Sequence, residues 1–101
     1  MPESISKSTA KLLKDITGEP RLNSAMRMTI KDALLYRLEK VNAEIEEYEE
    51  KYETKFEEFR EAWDNDKIQD RYSYEIESDY WKWEELITRR EKIEEALKWL
   101  E

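Results

Sequence analysis

Apolar residues recur along this chain at alternating steps of three and four. Leu34, Leu38, Val41, Ile45, Tyr48 and Tyr52 keep that spacing, which predicts a helix from about Ser24 or Thr29 to Tyr52 with these side chains on one seam. A helix over residues 28–53 would run roughly 39 Å at about 1.5 Å per residue, longer than a small domain needs unless another helix lies along it. The end of the chain supplies that helix. Starting between Ser73 and Ser78, with Asp79 suited to its first turn, and running to Glu101, it aligns Ile76, Tyr80, Trp83, Leu86 or Ile87, Arg90, Ile93, Leu97 and Leu100 as a second seam. Between the two, Thr54-Lys55-Phe56-Glu57 reads as a capping box, the Thr54 hydroxyl accepting an amide proton and Glu57 reaching back. The helix it opens carries Phe56, Phe59, Arg60 and Trp63 on one stripe. Asp64-Asn65-Asp66 stops it, because short polar side chains compete for backbone hydrogen bonds.

Short connections favour packing between sequence neighbours, so the predicted fold class is all-α. Its architecture is an antiparallel helical hairpin of two long helices with a short connecting helix and a basic N-terminal arm. The hairpin domain takes residues 28–101 and the arm residues 1–27. In the arm, Ser6 to Ile16 either makes a short helix with Leu12, Leu13 and Ile16 on one side or orders only against a surface. Thr17-Gly18-Glu19-Pro20 ends that segment.

Composition then removes most chemistry. The 101 residues allow one packed unit, and 44% charged against 39% hydrophobic residues with a single Gly suits helices rather than sheets. No Cys and no His means no disulfide, thiolate nucleophile or imidazole base, and almost no transition-metal site. Asp64, Asp66 and Asp70 imitate the start of a calcium loop, but Ile68 occupies a ligand position and no Gly follows. Helix-borne pairs such as Glu46 and Glu50 lack the His of a di-iron site. A chain with one Gly cannot form a Gly-rich phosphate loop. No enzyme, metal or cofactor is therefore expected. No apolar run approaches the roughly 18 residues of a membrane span, and no basic-then-apolar leader opens the chain, so a cytoplasmic protein is expected.

Charge and aromatics point to a partner instead. Residues 1–27 hold five basic against three acidic side chains, while 28–101 hold 13 against 23. Between Glu44 and Glu58 eight Glu face only Lys51 and Lys55. Such a field repels nucleic acid and steers a basic protein inward. The basic arm is the one stretch suited to DNA, with Arg27-Met28-Thr29-Ile30 as a candidate ribbon strand, but its surplus of two charges is small. Tyr72, Tyr74, Tyr80, Trp81 and Trp83 fall within twelve residues. At about 100° per residue Trp81 stands roughly 200° from Trp83, so if Trp83 joins the seam Trp81 points away, among Glu77, Glu84, Glu85 and Thr88. There it is either covered by the Phe56–Trp63 helix or the arm, or free as an interface residue. Arg90 interrupts the second seam; it is expected to pack its stem and snorkel its head into water, or else to reach a Glu such as Glu46 or a carboxylate of a partner.

Two stretches, Glu47 to Trp63 (EYEEKYETKFEEFREAW) and Glu77 to Leu86 (ESDYWKWEEL), together resemble small prokaryotic antitoxin-like proteins encoded beside a compact toxin. Tyr52, Thr54, Glu57, Glu58, Phe59, Asp79, Tyr80, Trp83 and Glu84 occupy the positions that carry the likeness, which covers the C-terminal half. Where such sequences often have Gly after the Tyr, this chain has Glu53, so the helix is expected to continue there. The resemblance implies a protein that binds and blocks a small basic toxin, ribonuclease-like or translation-inhibiting.

The expected function is thus a non-enzymatic protein-binding module, with Phe56, Phe59, Trp63, Tyr80, Trp81, Trp83 and Arg90 as the partner-binding residues. The alternative is a homo-oligomeric structural bundle or coiled coil, in which the two seams associate between copies.

Overall fold

The computed structural model describes residues 5–100, and within them every regular element is a helix. Residues 1–4 of the predicted arm and Glu101, the predicted end of the last helix, lie outside them. The helices are α1 (Lys7–Thr17), α2 (Leu22–Tyr52), α3 (Phe56–Asp64) and α4 (Tyr74–Trp99). The fold class is all-α.

Local chemistry sets each boundary. The Ser6 hydroxyl accepts from the Thr9 amide at 3.2 Å to open α1, and Gly18 closes it at φ 71°, its amide donating to the Lys14 carbonyl. α2 starts at Leu22, earlier than Ser24 or Thr29, so residues 22–27 of the predicted arm are helical. It ends at Tyr52. Glu53 does not continue the helix: it adopts the left-handed conformation at φ 53° and donates its amide to the Glu49 carbonyl, a position that favours Gly. The capping box is also absent. Lys55, not Thr54, precedes α3, and the Thr54 hydroxyl instead donates to Glu58 at 2.7 Å. Ser73 caps α4 by accepting from the Ile76 amide at 3.3 Å. That start places Asp79 in the second turn, where it faces α2.

α2 and α4 form the principal packing, with α3 closing one end of it and α1 lying against α2. Near the end of α2, Lys51 pairs with Asp79 at 2.6 Å and with Glu75 at 2.8 Å. Halfway along, Arg90 donates to Asn42 at 3.4 Å. Near the start of α2, Arg27 donates to the Trp99 carbonyl at 3.4 Å. Val41, Ile45, Phe56, Phe59, Trp63, Tyr80, Trp83, Leu86 and Ile93 make the core, while Leu34, Leu38 and Leu97 are only half-buried against it. Ala25, on the side of α2 turned away from that seam, is 0% exposed, which leaves α1 as the element covering it. α1 rests there through its Ala10–Leu13–Thr17 edge; Leu12 and Ile16 face outward rather than joining Leu13.

Candidate protein-binding surface

Trp83 anchors the end closed by α3. It is 0% exposed and lies against Tyr48, Tyr52, Phe56 and Phe59 at ring-centroid distances of 5.7, 5.9, 5.3 and 5.2 Å. Trp63 stacks on Tyr80 at 4.4 Å, and the Arg71 guanidinium covers the Trp63 ring at 4.9 Å. Offset and tilted pairs of this kind add to the burial of large apolar rings. Among the described residues the indole N–H of Trp83 has no hydrogen-bond partner, so ring packing outweighs a polar cost at this position.

A polar clasp holds the same end. Tyr52 donates its hydroxyl to Asp79 at 2.5 Å, beside the Lys51 pair. Burial, then the bond to Asp79, pushes the Tyr52 hydroxyl up to about 12. Burial pushes the Asp79 carboxyl up as well, but the hydrogen bonds from Lys51 and Tyr52 together outweigh it and hold that carboxyl below its ordinary value. The hydrogen bonds to Asp79 and Glu75 raise Lys51. Every member is satisfied, so the clasp fixes how α4 leaves the α3 connection and with it the direction of the outer face of α4.

This geometry divides the seven predicted binding residues. Phe56, Phe59, Trp63, Tyr80 and Trp83 are buried in the aromatic core, so a partner reaches none of them unless the core opens. Arg90 is half-buried and turned inward to Asn42 rather than to Glu46. Trp81 is 55% exposed, touching Tyr80 edge-on at 5.0 Å, and neither α3 nor α1 covers it.

Two further aromatics share its face. Tyr74 stands seven residues before Trp81 and Trp99 eighteen after, both within about 20° of it on the helix, and they are 89% and 79% exposed. The resulting row, Tyr74, Trp81 and Trp99, lies opposite the buried seam, with Glu77, Glu84 and Glu85 around its centre. Sequence reasoning missed Tyr74 and Trp99, although the spacings of seven and eighteen carried the signal. Chemically the face offers indole and phenol rings among carboxylates, which suits lysine- or arginine-bearing apolar surface. Among the described residues no group of three Asp or Glu side chains is arranged to hold a metal ion, and no helix is long and apolar enough to cross a membrane.

No curated protein and no solved structure matches the chain. The model of the family described as the uncharacterized protein MJ0235 family matches residues 5–101, nearly the whole length, and the chain belongs to that family.

Proposed function

We propose that this chain is a non-enzymatic, cytoplasmic protein-binding module, of the antitoxin type, that binds and neutralises a small basic toxin through the outer face of α4. One observation carries the reading: Trp81 stands out two turns into a long helix, uncovered, among Glu77, Glu84 and Glu85. A large exposed ring rimmed by charge is what an interface anchor requires, and the acidic field around it favours encounter with a basic surface. The reading takes α2 and α4 as an antiparallel hairpin. The Lys51–Asp79 pair at one end and the Arg27–Trp99 hydrogen bond at the other support that arrangement. The buried aromatics and the Tyr52–Asp79–Lys51 clasp give α4 the rigidity an anchor needs.

The test is to identify by mass spectrometry what co-purifies with the tagged chain from its native lysate, to co-express any small basic protein so found, and to titrate the purified pair calorimetrically, with wild type and Trp81→Ala. The expected loss for the variant is about 2 kcal/mol or more at unchanged helicity. Equal affinity for the two would remove Trp81 from the interface, and failure of the pair to bind or to rescue growth would remove the antitoxin reading.

A further inference from the structure

A chain of 12.4 kDa exposes about 6,100 Å² when compact, and 101 residues have a radius of gyration of about 13 Å. This one exposes 8110 Å², with a radius of gyration of 19.4 Å and extents of 57 × 30 × 21 Å. The surplus of about 2,000 Å² exceeds the roughly 800 Å² that each partner contributes to a standard interface. Part of it has an identifiable place. α3 adds a third layer to the α2–α4 pair around Tyr52, Tyr80 and Trp83, and no described helix does so around Leu35, Leu38 and Asn42. There one face of α2, carrying Leu35, Leu38, Glu39, Asn42, Ala43 and Glu46, forms a shallow groove open to solvent. Leu35 is 47% exposed, and Met28, one heptad before it on the same face, is exposed as well.

We infer that a second copy of this chain docks in the groove, antiparallel about a two-fold axis near Leu38, so that two open helix pairs complete one four-helix bundle. Charge selects both the occupant and its direction. Residues 5–40 hold eight basic and four acidic side chains, and residues 41–89 hold seven basic and seventeen acidic. Parallel copies would lay acidic half against acidic half and bring Glu39 and Glu46 against themselves. Antiparallel copies send the acidic halves to opposite ends. They also bring Lys31 opposite Glu46 of the second copy, because these two residues lie seven and eight positions to either side of Leu38. The two-fold makes that pair twice and closes the assembly at two chains. Arg90 already donates to Asn42, so covering the groove does not strand that amide oxygen. The surface is separate from the Trp81 face, and the inference does not depend on the proposed function.

Sedimentation equilibrium of the full chain across the micromolar range tests it, with far-UV circular dichroism as the check on folding. Wild type is expected at twice 12.4 kDa. Leu35→Lys, a change at an exposed position, is expected at 12.4 kDa with unchanged helicity. Glu46→Lys is expected to dissociate about five-fold more readily, since it removes two ion pairs at once, and Lys31→Glu combined with Glu46→Lys to recover the wild-type constant. A monomeric wild type, a dimer indifferent to Leu35→Lys, or a double variant no tighter than Glu46→Lys would each overturn the inference.

Discussion

The two ends of the α2–α4 pair use the same helical spacing and reach different degrees of closure. At the end closed by α3, six rings surround or abut Trp83 and Tyr80, and a clasp of Tyr52, Asp79 and Lys51 is fully hydrogen-bonded. At the other end, Leu34, Leu38 and Leu97 are half-buried, Leu35 is exposed, and the polar link is a single long hydrogen bond from Arg27 to the Trp99 carbonyl. The difference is a layer. Two helices side by side cover one seam, while a third element is needed to take the flanking apolar positions out of water. The closed end therefore stabilises itself, and the open end leaves apolar surface exposed.

Removing the centre of the closed end should have the largest effect. Trp83→Ala is expected to lower stability by about 3–5 kcal/mol in urea denaturation, because a fully buried ring leaves a cavity among four others. Equal loss from an alanine at half-buried Leu34 would abolish the contrast between the ends. Ala25→Leu acts on the open end: the added side chain meets α1 where no space exists, and about 1–3 kcal/mol should be lost as α1 lifts from α2. Proteolysis after Lys11 or Lys14 should then accelerate while the aromatic core stays protected.

The clasp gives a smaller effect with a pH signature. Tyr52→Phe is expected to lose about 1 kcal/mol at neutral pH. The Tyr52 hydroxyl is raised from 10.0 to about 12 in the folded chain, so its contribution is complete below pH 10.0 and is lost as pH rises from there towards about 12. Denaturation midpoints measured from pH 8 to 12 should fall less steeply in Tyr52→Phe than in wild type. Smallest is Glu53→Gly, expected to gain about 0.5–1 kcal/mol by relieving the left-handed backbone at φ 53°. A loss there would mean that the Glu53 side chain holds the α2–α3 turn.

Much of this organisation is legible in the residues. The seam from Leu34 to Tyr52 and its counterpart from Ile76 to Leu97 follow from periodicity, because burial along a helix is a repeating demand. The break after Tyr52 is legible too, but its means is not: Glu53 carries no sign of the left-handed conformation in which it ends α2. The seat of α1 is hidden for a different reason. It rests on Ala10, Leu13, Thr17 and Ala25, small side chains that fit closely but add little apolar amplitude to the pattern. For the proposed binding face, aromatic content alone misdirects, since a cluster of rings marks a core as readily as an interface. Phase separates the two: Trp83 lies with the seam, and Trp81, about 200° away, lies with Tyr74 and Trp99.

Native-state hydrogen exchange resolved by residue, on wild type diluted below the concentration at which it dimerises, tests most directly whether the two ends differ in closure. Amides of Tyr48–Tyr52 and Tyr80–Leu86 should exchange only through global unfolding, whereas those of Thr29–Leu38 and Ile93–Leu97 should open at a free energy well below it and gain protection as concentration rises. Uniform protection along α2 and α4 at every concentration would contradict the account.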